Sequence, residues 1–195
     1  LYDFENEPYH NPRVTSYYDA FPACWRRFNS TPSTNPPFYP YIARSSTGTI
    51  HGHNVMYWEL YYDNDYDRHQ HAILPPVNTN IFNMSDLAMS FFAKVRSRSD
   101  TNTRFVVGVM ENSTDSSTFV PIDTVRLTIM DTMYVVSFSN YTGTGSYIAL
   151  RSLLPRNSSD ALLDDVFLTD HWCYPPTRVH ASSTDTSVTV MWSSK

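Results

Sequence analysis

Apolar and polar residues alternate with a period of two along most of the chain, and no window of helical length carries a capped 3.6-residue apolar stripe. The clearest run, Asn54 to Tyr62, sets Met56, Trp58, Leu60 and Tyr62 on one face and Val55, Tyr57, Glu59 and Tyr61 on the other. The same pattern predicts strands over Leu87 to Val95, Arg104 to Met110, Thr124 to Ile129, Tyr134 to Phe138 and Tyr147 to Leu150. Pro, Gly, Asn, Asp and Ser clusters punctuate them, and many short strands at such spacing mean a sandwich or barrel. Ser30 to Tyr41, with its prolines among Ser, Thr and Asn, reads as a surface loop because proline cannot donate to a ladder. Asp63 to His69 reads as the turn joining the strand that ends at Tyr62 to an Ala72-Ile73-Leu74 strand. After Cys173, Tyr174-Pro175-Pro176 reads as a stiff linker, and alternation resumes from Thr177 to Trp192.

Composition agrees with strands: 14 Tyr, 11 Phe and 4 Trp contribute to a hydrophobic share of 41%, enough for a core in 195 residues. A net charge of -5, with 14 basic residues dispersed among 19 acidic ones, supplies no basic stripe to neutralise phosphates, so nucleic acid is excluded as a partner. The apolar run Phe105 to Met110 falls far short of the roughly 20 residues of a membrane-spanning helix. The start at Leu1, without a charged or apolar leader, reads as that of a secreted chain whose signal peptide has been removed.

The chemistry the sequence offers is that of binding and not of catalysis. There is no G-x-S-x-G elbow and no H-E-x-x-H, and Gly143-Thr144-Gly145 lacks the rest of a phosphate loop. Glu5, Glu7, Glu59 and Glu111 do not form the paired carboxylates of a glycosidase strand. Asp63-x-Asp65-x-Asp67 imitates the start of an EF-hand, but Arg68 stands where glycine belongs and Leu74 where glutamate does, so it reads as a polar turn. His51-x-His53 and His69-x-His71 have metal-ligand spacing. A hairpin turning near residues 64 to 65 would set His69 and His71 opposite Leu60 and Trp58, away from His53, so no joint zinc centre is expected. Flat aromatic rings suit sugar C–H faces, and Trp25, Tyr57, Tyr61 and Tyr66, with the Tyr39 to Tyr41 loop edge, are candidates for ligand binding; core packing is the competing role for each. Cys24 and Cys173 are either a long-range disulfide or two separate thiols. The five N-x-S/T triplets are read as chance in so Ser-, Thr- and Asn-rich a chain.

In order along the chain stand Asp3-Phe4-Glu5, Trp25, Gly52, Ala72-Ile73-Leu74-Pro75-Pro76, Ser90-Phe91-Phe92-Ala93-Lys94, Phe105-Val106-Val107-Gly108-Val109, Tyr147-Ile148-Ala149-Leu150-Arg151 and Leu163-Asp164-Asp165-Val166. This string resembles the module shared by MAM-type domains and the cleaved-adhesin domains of bacterial surface proteins, over residues 1 to 173. The resemblance implies an all-β, two-sheet antiparallel jelly-roll β-sandwich of the concanavalin or galactose-binding-like kind, a cell-surface location, adhesion or glycan binding, and a structural calcium ion. With the first and last strands side by side, Asp3, Glu5, Asp164 and Asp165 would converge on that ion, which takes six to eight oxygen ligands. MAM-type domains also end on a cysteine where this chain has Cys173; Tyr2 stands where those domains place a cysteine, so Cys24 is only a candidate partner. Residues 174–195 resemble a linker and the opening strands of a fibronectin type III domain. The functional expectation is a non-catalytic extracellular module that binds a glycan or a host or matrix protein at a bacterial surface. A structural spacer with no ligand of its own is the alternative.

Overall fold

Short runs of β-branched and aromatic residues pair into two five-stranded antiparallel sheets. The computed structural model describes residues 3–7, 9, 20–29, 40–44, 50–58, 69–96, 102–153, 160–170, 177–183 and 187–193, the backbone alone for 177–183 and 188–193. The first sheet has the order β1-β4-β9-β6-β7, from β1 (Arg26–Asn29), β4 (Gln70–Ile73), β6 (Arg104–Met110), β7 (Val120–Arg126) and β9 (Tyr147–Leu153). The second has the order β2-β3-β10-β5-β8, from β2 (Tyr41–Arg44), β3 (Asn54–Trp58), β5 (Leu87–Val95), β8 (Thr132–Ser137) and β10 (Ala161–Asp170). β11 (Thr177–Ser183) and β12 (Val188–Ser193) form a two-stranded sheet of their own. Helical structure among the described residues is limited to 3-10 turns at Met84–Asp86 and Ser116–Thr118. The chain is a jelly-roll β-sandwich: the alternation predicts a sandwich or barrel, and the resemblance implies the jelly roll.

The sheets face each other over one core. Met56 and Trp58 of β3, Met89 and Phe91 of β5 and Leu163 of β10 meet Phe105, Val107 and Val109 of β6 and Ile148 and Leu150 of β9. Trp58 and Phe105 join the layers, with ring centroids 4.7 Å apart. Each such buried side chain contributes roughly 1.5–3 kcal/mol through removal of apolar surface from water.

The outer face of the first sheet is apolar too, which is why Phe105 to Met110 is a continuous hydrophobic run. Ile73, Val106, Met110 and Ala149 form a second cluster under Phe119, which the β6–β7 connection lays across Gly108. A side chain at Gly108 would meet the Phe119 ring and the Val120 carbonyl at 2.5 Å, so only glycine admits this cover. His71 is buried in the same layer, stacked on Phe28 at 4.4 Å and edge-on to Phe119 at 5.6 Å.

One expected connection is corrected. β3 and β4 are not a hairpin: β3 pairs with β2 and β10, while β4 pairs with β1 and β9 in the opposite sheet. The turn-rich sequence between them marks a crossover, because turn residues report a change of direction and not which strand is met next. Residues 59–68, with Tyr61 and Tyr66, lie outside the described residues. Residues 30–39 of the expected loop lie outside the described residues, and Tyr41 opens β2.

His71 makes stability depend on pH. Its Nδ1 lies 3.1 Å from the His69 carbonyl, and Nε2 is buried with no hydrogen-bond partner. Burial, helped by the Arg151 charge, lowers the His71 pKa from its ordinary 6.5 to about 4. Between those values the unfolded chain takes up a proton that the fold refuses, so stability is full above about pH 6.5 and falls towards pH 4. We expect a loss on the order of 3 kcal/mol from this group across that window. It is read as the difference between urea-unfolding free energies of the native chain and of His71→Leu at each pH; parallel curves would refute it.

Candidate functional site

Glu5 and Asp164, 159 positions apart, both bind the segment of residues 51–54. Phe4, Gly52 and Asp165 are the described residues with left-handed backbone, at φ 57°, 62° and 48°, and all three lie at this place. Asp3-Phe4-Glu5 is therefore no strand: the left-handed Phe4 turns the chain, and β10 has β3 and β5 as its neighbours instead. Asp165 sits in a bulge of β10, between the Asp164↔Phe92 and Phe167↔Ser90 pairs, where one extra residue re-aims the side chains.

Each carboxylate has a defined partner. Glu5 Oε1 accepts the backbone N–H groups of His53 (2.7 Å) and Asn54 (2.9 Å). Asp164 accepts those of His51 (3.1 Å, at Oδ2) and Asp165 (2.9 Å, at Oδ1). Asp165 Oδ2 lies 2.5 Å from His51 Nδ1, and Asp3 Oδ1 accepts the Glu5 N–H at 3.3 Å. Asn54 completes the junction: its Nδ2 faces the carbonyl oxygens of Phe4 (3.2 Å), Glu5 (3.2 Å) and Glu7 (3.4 Å). Gly52 is required twice over, by its φ and because a Cβ there would lie 2.2 Å from Glu5 Oε1.

Two features fit a hard cation. Asn54 Oδ1 is buried with no hydrogen-bond partner, and burial raises the Asp164 carboxyl to a pKa of about 7 despite the N–H groups it accepts. Every side-chain donor offered by Glu5, Asn54 and Asp164 is oxygen, as calcium requires. No group of three or more His, Cys, Asp or Glu among the described residues is arranged to hold a metal unaided. Amide and backbone oxygens would have to supply much of the coordination.

The aromatic candidates separate. Trp25 is buried in the core, edge-on to Phe4 at 5.8 Å, so its ring faces serve packing. Tyr57 is half-buried on the outer face of the second sheet, 5.5 Å from the Tyr41 ring. Its hydroxyl donates to Asp160 Oδ2 at 2.5 Å and accepts from Arg96 at 3.2 Å, and Arg96 also reaches Asp160 at 3.3 Å. Burial, and then the bond to Asp160 and its charge, push the Tyr57 phenol well above its ordinary pKa, against the pull of Arg96. Cys24 is an exposed free thiol, and Cys173 lies outside the described residues. His51 and His53 stand beside the acidic junction, while His71 lies in β4 of the first sheet and His69 just before it, its Nδ1 at 3.2 Å from the Ser152 carbonyl. Sequence reasoning missed Asn54, Asp160 and Arg96, whose partners are 39 to 103 residues away and leave no local signature.

Gly52→Ala is expected to cost about 2–4 kcal/mol, from left-handed strain and from overlap with the Glu5 carboxylate. Urea denaturation of the single variants and of Glu5→Ala/Gly52→Ala separates the two causes. The Gly52 substitution should cost less once the carboxylate is gone, and equal costs in both backgrounds would rule out the overlap.

No family model matches the chain, and no curated protein matches its sequence. Solved structures do match in fold. The K2 cleaved adhesin domain of Lys-gingipain is 12% identical with a TM-score of 0.63, over 86% of this chain and 96% of that one. The K1 cleaved adhesin domain of Lys-gingipain from Porphyromonas gingivalis W83 is 14% identical with a TM-score of 0.58, over 87% and 96%. The K3 domain from the same organism is 16% identical with a TM-score of 0.53, over 86% and 96%. The chain thus has the adhesin-type sandwich fold along nearly the whole length of those domains.

Proposed function

We propose that this chain is a non-catalytic extracellular module that binds a glycan or a host or matrix protein at a bacterial cell surface. The observation that carries the reading is Tyr57: a half-buried ring on the outer face of a sheet, with its hydroxyl held by Asp160 and Arg96. A ring fixed in this way offers a contact face at little entropic cost, with a charged pair beside it to orient a polar ligand. The fold supports the reading, since the domains it matches are named adhesin domains. Reproducible binding on a glycan array or to immobilised matrix proteins, weakened about tenfold or more in Tyr57→Ala, is the expected result. Silence across both panels favours a spacer without a ligand.

Calcium has a structural part in this proposal. Glu5, Asn54 and Asp164 would hold the ion, with Asp3 and Asp165 beside them, and it would satisfy the buried Asn54 oxygen and the buried Asp164 carboxyl. EDTA should lower the melting temperature by about 5 °C or more, with calcium and not magnesium restoring it. An unchanged melting temperature, with no metal in the purified protein, would sink this part. The β11–β12 hairpin we read as the opening of a further, fibronectin-like domain, since two strands alone cannot bury a core.

A further inference from the structure

Away from the acidic junction and from Tyr57, the β4–β5 and β8–β9 connections enclose an open cavity of about 430 Å³, a size ordinary for small-ligand sites. We propose that this cavity binds a neutral saccharide, with the Phe82 ring as its apolar platform. The inference rests on the reading of the chain as a binding module and deepens it by naming a site and a ligand class.

Phe82 is 51% exposed on the cavity wall. Its backbone is not loose: the N–H groups of Ile81 and Phe82 both donate to the Asn78 carbonyl, at 3.0 and 3.1 Å, and Asn78 Oδ1 accepts the Asn80 N–H at 3.2 Å. Two residues on, Met84 is buried and ties the turn to the core. A large ring held in water by a braced turn costs solvation free energy that contact with a sugar C–H face would recover.

The remaining wall sets the ligand's polarity. None of the lining residues is charged, and Thr79, Asn83, Ser85, Thr142 and Thr144 supply hydroxyl and amide groups. Asn83 Nδ2 donates to Asp86 at 2.9 Å and Thr144 Oγ1 to Glu111 at 2.7 Å, which orients the carboxamide and leaves the threonine oxygen as an acceptor. Such a lining offers an anionic ligand no countercharge, and a purely apolar one would strand these groups without partners. A neutral, hydroxyl-rich molecule matches both the ring and the polar wall.

The wall is also preformed. Tyr141 is buried, and its hydroxyl accepts the Gly145 N–H at 2.8 Å. A Cβ at Gly143 would lie 2.4 Å from that hydroxyl, and one at Gly145 2.7 Å from it, so the two glycines let the loop wrap the phenol. Binding then has little loop ordering to offset.

The test is titration calorimetry of the full chain with neutral oligosaccharides (gluco-, galacto- and manno-configured) and with sialylated and sulfated ones, alongside a broad glycan array. We expect binding to a neutral sugar, weakened about tenfold or more in Phe82→Ala and several-fold in Thr142→Val, with unchanged melting temperatures. Binding that survives Phe82→Ala and is lost in Tyr57→Ala overturns the cavity assignment and leaves the binding-module reading standing. Preference for charged glycans, or binding to protein ligands with no glycan bound, also overturns it while sparing that reading. Absence of binding to any glycan or protein overturns both.

Discussion

The contact of the Glu5 carboxylate with the backbone of Gly52, His53 and Asn54 is the constraint on which one end of the sandwich depends. It joins three stretches far apart in sequence: the turn at Phe4, the loop entering β3, and the bulge of β10. Left-handed backbone at Phe4 and Asp165 costs on the order of 1–3 kcal/mol for each residue, and neither would persist alone. Asn54 supplies the compensation by facing three carbonyl oxygens of the first segment, and Asp164 does so by capping the N–H groups of His51 and Asp165. The same bonds explain why Asp164 is buried at all. A carboxyl in that position trades solvation for two backbone donors, an exchange too small to prevent the rise of its pKa.

Most strands were legible because a half-buried sheet imposes a period of two, and Leu87–Val95 and Arg104–Met110 keep their predicted bounds. What the pattern cannot encode is partner choice. The β3–β4 hairpin was a reasonable inference from adjacency, yet the jelly roll sends the chain from one sheet to the other at that point. β1 and β2, at four residues each, are too short for alternation to register, and their pairing depends on neighbours distant in sequence. Double-sided burial also blurs the signal: Val106 and Met110 are as hidden under Phe119 as Val107 and Val109 are in the core.

The candidate sites were legible to the extent that their chemistry is carried by residue type. Glu5 and Asp164 bind the same loop, from a turn and from a bulge and not as adjacent strands. Aromatic residues are a poorer guide, because ring type says nothing of exposure: Trp25 is core, whereas Phe82, in the β4–β5 connection, stands half in water. The signal that would have found it is Ile81-Phe82 set between asparagines, an apolar pair where a turn needs none. Gly143 and Gly145 carry a second signal, of a loop that must pass close to another group, and that group is the Tyr141 hydroxyl.

The acidic junction and the cavity are joined by a single ladder. Asp164 pairs with Phe92, and six residues on Asp170 pairs with Leu87, where the cavity loop enters β5. At about 3.3 Å per residue the two places stand roughly 20 Å apart along β10. Coupling across that distance needs an element with two discrete arrangements, and an antiparallel ladder paired on both edges and pinned by a bulge has one. A cation at the junction would therefore raise the free energy of unfolding without reshaping the cavity. Ligand affinity and metal content would then vary independently as long as the sandwich stays folded, which fits a module whose fold is held at one end and whose recognition surface lies elsewhere.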